Sequence, residues 1–373
     1  MKLFGKRAGR DQSRPALSRG AAGVAAGHWP QSYDAQLREA YLGNPVAQRA
    51  VKLVAEAVAG APLDGTPEAV ALVAARSGGQ ALMETVASHL LLHGNAYVQV
   101  LRDGGGGAAE LFALRPERVA VEPDAAGWPV AYRYRVGERS VCLEAGTGTG
   151  VGPEVIHLKR FHPLDDHYGL GCLSAAAGAV AIHNAATRWN KALLDNAARP
   201  SGALVYEPGD GTALSPDQFE RLKAEMEAGF AGAANAGRPM LLEGGLRWQA
   251  LSLSPADMDF VGLKAAAARE VALAFGVPPM LLGLPGDATY ANYREANRAL
   301  WRLAVLPLAD TILTGIAQGL AGWLGEVRLL VDVDRVPAMA EDRERLWSMV
   351  GAADFLTPEE KRERVGIAAG DRR

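Results

Sequence analysis

Two groups of residues in this chain have the types and spacing to do chemistry. The first runs through His157, His162, Asp165, Asp166, His167 and Cys172. Imidazoles and carboxylates at this density can ligate a metal, so a metal-dependent hydrolase using His157, Asp165 and His167 is one functional alternative. Against it, the stretch Phe161-His162-Pro163-Leu164-Asp165-Asp166-His167-Tyr168-Gly169-Leu170-Gly171 is irregular. Adjacent carboxylates there face different ways, and Asp serves turns by local hydrogen bonding. Cys172 could act as a thiol nucleophile, but a lone cysteine at a helix start more often behaves as a small buried hydrophobe. The second group is Arg294, Arg298 and Arg302, spaced four apart and therefore aligned on one helix face. Such a line can track phosphates; the alternative is a solvated face on which Glu295 pairs with Arg298. Lys264 with Arg269, and Arg188 with Lys191, pose the same choice. The sequence contains no phosphate-binding loop, nucleophile elbow or zincin pair, so neither an enzyme nor a cofactor or resident metal is expected.

The arginine line hangs on an interruption at residues 275–291, rich in Pro and Gly, between two good helices. Upstream, Ser254 with Pro255 and Asp257 reads as a capped start, and Phe260, Leu263, Ala267, Val271 and Ala274 form one apolar stripe. Gly276, Pro278 and Pro279 stop that helix. Downstream, over 292–324, a longer stripe passes through Leu306, Ala309, Leu313, Ile316, Leu320 and Trp323, with Pro307 expected to kink it. Residues 303–324 are apolar enough to make a membrane pore a second alternative, but Pro307, Asp310, Gln318 and several glycines favour a helix buried in protein. A loop tethered so tightly at both ends usually touches something.

The rest of the chain supplies the scaffold. Residues up to about 42 are expected to be a loosely ordered basic arm, carrying Lys2, Lys6, Arg7, Arg10, Arg14 and Arg19. Order should begin at the Asn44-Pro45 cap, with helices over 44–61, 67–76 and 81–92. The period then changes to two, predicting strands at 96–102, 110–114, 118–122, 130–136, 140–143 and 155–160. A helix over 174–198 follows, with Val180, Ala186, Trp189, Leu193 and Ala197 on one face and Asn184, Arg188, Lys191 and Asp195 on the other. Next comes a β-α-β insertion. It has a strand at 202–207 and a Ser215-Pro216-Asp217-Gln218 capping box opening a helix with Phe219, Leu222, Met226 and Phe230. A hairpin of 238–243 with 246–251 across Gly244-Gly245 completes it. A strand at 327–333, a helix at 340–349 and a Thr357-Pro358-Glu359-Glu360 box close the chain. Helices grouped before strands make the fold class α+β, and the excursion bracketed by two helices suggests an antiparallel stalk bearing a small α/β tip.

At 373 residues and 49% hydrophobic, the chain can build more than one core. Its formal charge of −3 gives no global basic excess, so contact with DNA must be local or weak. Two cysteines are too few for a disulfide framework and fit a reducing compartment.

Taken in order, Asn44-Pro45 to Ala61-Pro62-Leu63, His93-Gly94-Asn95-Ala96-Tyr97, Leu114-Arg115-Pro116-Glu117-Arg118-Val119 and Val155-Ile156-His157-Leu158 make one series. Tyr168-Gly169-Leu170, Ala197-Ala198-Arg199-Pro200-Ser201-Gly202, Leu242-Glu243-Gly244-Gly245-Leu246, Leu251-Ser252-Leu253-Ser254-Pro255 and Phe275-Gly276-Val277-Pro278-Pro279 continue it. This series resembles the portal (connector) proteins of tailed bacteriophages, in the siphophage family of the HK-ninety-seven type. The resemblance implies a portal fold with an α/β wing (44–172) after a flexible arm (1–43). Stem helices (173–199 and 254–276) would flank a β-α-β clip (200–253). A tunnel loop (277–291), a kinked wing helix with a return strand (292–336) and a short helical crown (337–373) would follow. It implies a non-enzymatic ring, typically a dodecamer, at one capsid vertex, conducting double-stranded DNA in packaging and ejection. The implied partners are the major capsid protein, the large terminase subunit and a head-completion adaptor, and the implied location is a virion or phage-like particle assembled in host cytoplasm. Channel residues would be Leu284, Pro285, Asp287, Thr289, Tyr290, Arg294, Arg298, Lys264, Arg188 and Lys191. Clip contacts to the motor or adaptor would be Tyr206, Glu220, Lys223, Glu227, Arg238 and Arg247. The Ala-, Gly- and Arg-rich composition and compact length suit a particle such as a gene transfer agent.

Overall fold

The computed structural model describes residues 16–17, 32–77, 79–146, 152–195, 202–207, 214–230, 246–250, 259–284 and 290–366. It forms two units, one of residues 1–177 with 272–373 and the other of 178–271.

Helical order starts earlier than the sequence suggested. Helix α1 (Tyr33–Leu37) runs into a π-helical turn, Arg38–Leu42. Ser32 Oγ accepts from Ala35 N at 3.2 Å, Asp34 pairs with Arg38 at 2.8 Å, and Tyr33 meets the His93 ring edge-on at 4.6 Å. So short a helix carries no readable period; a tertiary contact holds it.

Helix α2 (Pro45–Ala59) opens as expected, with Asn44 Oδ1 accepting from Val46 N and Ala47 N at 3.0 Å each. Val51, Val54 and Val58 are buried. Strand β1 (Leu63–Gly65), α3 (Pro67–Ala74), the small hairpin of β2 (Arg76–Ser77) and β3 (Gln80–Ala81), and α4 (Leu82–Leu92) follow. The alternating stretches then form β4 (Asn95–Arg102), β5 (Ala108–Leu114), β6 (Val119–Pro123), β7 (Pro129–Val136), β8 (Arg139–Glu144) and β9 (Val155–Lys159). They make two antiparallel three-stranded sheets, ordered β5-β4-β9 and β6-β7-β8. Tyr97, Leu114, Val119, Val121, Tyr132, Leu143 and Val155 pack together as a core.

Helix α5 (Cys172–Asp195) leads into the second unit, which holds β10 (Gly202–Tyr206), α6 (Pro216–Phe230), β11 (Leu246–Ala250) and most of α7 (Phe260–Ala274). In that unit Trp189 stacks on Phe260 at 4.0 Å, and His183 feels the charge of Lys264. One number rises as the other falls, so α5 and α7 run antiparallel. The capping box is present: Gln218 N donates to Ser215 Oγ at 3.3 Å and Ser215 N to Gln218 Oε1 at 2.9 Å. Strand β11 pairs antiparallel with β10, Tyr206 opposite Leu246; the expected hairpin partner at 238–243 lies outside the described residues. Three sequence expectations differ. Asn184, placed on the polar face, is buried with His183 and bonds to it; Leu263, placed in the apolar stripe, is exposed, as is Phe219. Ala267 and Val271 of the expected stripe are buried, joined by Ala268 and Ala272, so the buried face of α7 is built from small side chains. The expected Ser254 cap lies outside the described residues, and Asp259 Oδ1 accepts from Gly262 N at 3.1 Å at the observed start.

The long helix returns to the first unit as α8 (Tyr290–Leu300), a π-helical turn Trp301–Val305, and α9 (Leu306–Leu324). The wide turn lies just before Pro307, where the missing N–H and the ring's clash with the preceding carbonyls forbid regular winding. Ala309, Ile312, Leu313, Ile316 and Leu320 are fully buried. The glycines that counted against a membrane span have a packing role: a Cβ at Gly315 would strike Leu158, and one at Gly319 would strike Ile156, so both let α9 lie close on β9. Strand β12 (Leu329–Val331), shorter than expected, pairs with β1; α10 (Ala340–Gly351) and α11 (Pro358–Val365) follow. Thr357 and Glu360 form the capping box reciprocally.

Candidate functional site

The His/Asp connector is a structural knot centred on Asn95, which is 1% exposed. Its Oδ1 accepts from Gly169 N at 2.7 Å, and its Nδ2 donates to Gly169 O at 3.2 Å. Those backbone partners fix the amide orientation, so His157 Nε2, at 3.1 Å from Oδ1, must be the donor, and His93 Nδ1, at 3.1 Å from Nδ2, the acceptor. The His157 ring stacks on Tyr97 at 4.3 Å, and its burial, aided by Lys159, lowers its pKa to about 3. Asp165 Oδ1 accepts from His167 N and Tyr168 N at 2.7 and 2.9 Å, a turn bond of the kind its composition suggested. His167 Nε2 bonds Gly127 O at 2.6 Å. Gly94, at φ +84°, lies so close to the backbone of residues 169–171 that a Cβ has no room. Burial pushes the Cys172 thiol pKa up, with Arg160 Nη1 at 3.3 Å partly offsetting it, which disfavours the thiolate a nucleophile needs. Among the described residues, no group of three or more His, Cys, Asp or Glu side chains could hold a metal.

The described part of the Pro-Pro loop is anchored where α7 ends. Gly276 takes φ +68° as α7 stops, Val277 N bonds Ala272 O at 2.9 Å, and Pro279–Leu282 form a 3₁₀ turn. Phe275 and Val277 are buried, while Leu284 is half-buried. Pro285, Asp287 and Thr289 lie outside the described residues, and Tyr290 begins α8.

The arginine line is engaged by carboxylates. Arg298, whose side chain is 15% exposed, pairs with Glu295 at 3.2 Å, Asp342 at 3.5 Å and Glu341. Arg294 also pairs with Glu341, and Arg302 is exposed. The next residue of α10, Arg343, pairs with Asp334 and donates to Val365 O at 2.8 Å. Three consecutive side chains therefore tie α10 to the loop-bearing helix on one side and to α11 on the other. Sequence reasoning found the Glu295 pair, a local one, and missed Glu341 and Asp342. In the second unit, Arg188 and Lys191 are exposed on α5, and Lys264 is half-buried on α7. Tyr206 is half-buried at the end of β10; Arg247, Glu220 and Lys223 are exposed; Glu227 lies on α6; Arg238 is outside the described residues.

Residues 45–366 match the family model for phage portal protein. The chain belongs to the phage portal protein family. An uncharacterized protein of Rickettsia felis is 39% identical over 355 residues, 90% of each chain. The probable portal protein of Streptomyces phage phiC31 is 26% identical over 343 residues, covering 83% of this chain and 73% of the relative. Among solved structures, a chain in the neck of a native gene transfer agent particle, computed with C12 symmetry, is 49% identical with a TM-score of 0.69, over 93% of this chain and 97% of that one. In this portal-family chain the His-Gly-Asn and Tyr-Gly-Leu motifs that carried the resemblance are the two sides of the Asn95 knot. In the long apolar helix of this chain, Ala309, Leu313, Ile316 and Leu320 of the expected stripe are fully buried within the first unit.

Proposed function

We propose that this chain is a non-enzymatic ring subunit at the neck of a phage-like particle of the gene-transfer-agent kind, twelve copies surrounding a channel for double-stranded DNA. The single observation that supports it most is the near full-length likeness, at 49% identity, to a chain of a gene transfer agent neck computed with C12 symmetry. Such a ring closes by rotation through one heterologous contact repeated around the axis. In this reading residues 44–172 are the wing, 173–199 and 254–276 the stem, 200–253 the clip, 277–291 the tunnel loop and 337–373 the crown. The ring sits in the capsid vertex, and the clip meets first the large terminase subunit and later a head-completion adaptor. Nucleotide hydrolysis belongs to the motor. A net charge of −3 suits a pore through which DNA slides, since dense phosphate contacts would hold it. Leu284, Pro285, Asp287, Thr289 and Tyr290, with Lys264, Arg188 and Lys191, are the proposed channel contacts. Arg294 and Arg298, already paired with Glu341, act there as struts for the loop-bearing helix.

Deleting part of the loop within 283–288 tests the channel assignment. Rings should form as before, while nuclease-protected DNA per particle falls several-fold; unchanged protected DNA in particles with intact rings would overturn it.

A further inference from the structure

A ring subunit needs two complementary faces, and the first unit carries a concave apolar one. The end of α7, the start of α5, the connector and the turn before Pro307 enclose a cavity of about 630 Å³. On its wall Phe161 is 85% exposed, Leu273 77%, Leu303 70% and Leu170 42%. These side chains come from separate stretches of sequence, so the fold gathers them. Single exposed hydrophobes are ordinary, but a cluster around a concavity marks an interaction surface. The charged side chains lining it, Lys159 and Arg160, are both basic, and among the described residues no carboxylate lines it. The same chain offers a surface of matching character. Phe355, 86% exposed, stands on the turn between α10 and α11 beside Asp354, with Glu359 and Glu360 just beyond.

We infer that this groove is one half of the subunit contact in the ring, and that its occupant is the neighbouring copy of this chain. The inference rests on the ring reading above. Three observations select a second copy over other occupants. A closed ring repeats a contact between two different patches, so each subunit must present a receiving face. The groove is apolar with a basic wall, and the chain's own exposed Phe355 turn, residues 352–357, is apolar with Asp354 its one charged residue. The near full-length likeness to a chain of a C12 neck then supplies the neighbour that would cover it.

The test uses the full chain with Leu303→Cys as a reporter in a Cys142→Ser, Cys172→Ser background, since Cys142 is an exposed free thiol. Alkylation of the new thiol by a maleimide is timed in dilute monomer and in assembled rings separated by size. The expected result is at least a tenfold slower reaction in rings. Equal rates in the two forms would overturn the inference. A second variant, Phe161→Glu with Leu273→Glu, changes two exposed side chains and should keep the circular dichroism and melting temperature of the free chain while abolishing rings. Normal rings from that variant would also overturn it. Native mass of the unaltered chain reads the ring separately. A chain that stays monomeric even with its capsid partners overturns the ring reading and this contact together, whereas rings with a freely reacting Leu303→Cys overturn the contact alone.

Discussion

Replacing Asn95 by Ala removes the group that joins β4, the central strand of its sheet, to the connector. Two backbone partners are stranded by it, Gly169 N and Gly169 O, held at 2.7 and 3.2 Å in a buried residue. Each orphaned buried group costs about 1–3 kcal/mol, so the pair alone should cost about 4 kcal/mol, and His157 Nε2 loses its acceptor as well. For a domain of this size 1 kcal/mol shifts the melting temperature by about 2–4 °C, which puts the expected fall near 10 °C. Thermal unfolding followed by circular dichroism and calorimetry would measure it. Asn95→Asp sharpens the reasoning. It keeps the acceptor facing Gly169 N and His157 Nε2, loses the donor to Gly169 O, and places a negative charge beside the imidazole. That charge should raise the His157 pKa, so Asn95→Asp should be closer to wild type at pH 5 than at pH 7. A loss below about 1 kcal/mol for Asn95→Ala, or an Asp variant that worsens on acidification, would refute the knot as a load-carrying joint.

Acid should weaken the fold through two histidines. Burial lowers the His157 pKa to about 3 and that of His89 to about 4, so their contribution is complete above the unfolded value near 6.5 and is lost as pH falls through that value toward 3–4. Each should cost about 2 kcal/mol between pH 7 and pH 5, and urea titrations of His157→Phe should show a smaller drop over that interval; an equal drop would discount His157. Glu341→Ala should cost about 1–2 kcal/mol, because Arg298 is largely buried and loses its nearest carboxylate. Hydrogen exchange should quicken in α10 and α8; unchanged exchange in both would show that the two helices hold together without the pairs. Gly94→Ala should lower stability by more than 3 kcal/mol or prevent folding, since φ is +84° and the backbone of residues 169–171 fills the space; a soluble variant with a near-normal melting curve would contradict the close approach.

What the sequence revealed was what local physics decides. The alternation in 96–160 marked six strands to within a residue or two, and the caps at Asn44, Ser215 and Thr357 are made by the side chains their positions predicted. Partners far along the chain were hidden. Asn95 and Gly169 are 74 residues apart, and Arg298 and Glu341 are 43 apart. Both pairings depend on how elements fold back, which no spacing encodes. Leu246–Ala250 was expected beside 238–243, which lies outside the described residues; its pairing with the more distant Gly202–Tyr206 is one that proximity in sequence did not offer. Pro307 predicted a disturbance in the long helix, but only the structure shows it as a π turn over Trp301–Val305. Two of the collinear motifs read as a family signature, His93-Gly94-Asn95 and Tyr168-Gly169-Leu170, are in the structure a close backbone contact joined by buried amide bonds. They marked the fold far better than they marked the DNA path, whose proposed loop residues 285–289 lie outside the described residues.

The most direct test of the account is imaging of the purified chain by negative stain, with native mass in parallel. The account predicts closed rings with a central hole wide enough for a duplex and a mass near twelve times 39.3 kDa, about 470 kDa. Open filaments, or a chain that remains monomeric even when co-assembled with its capsid protein, would contradict it.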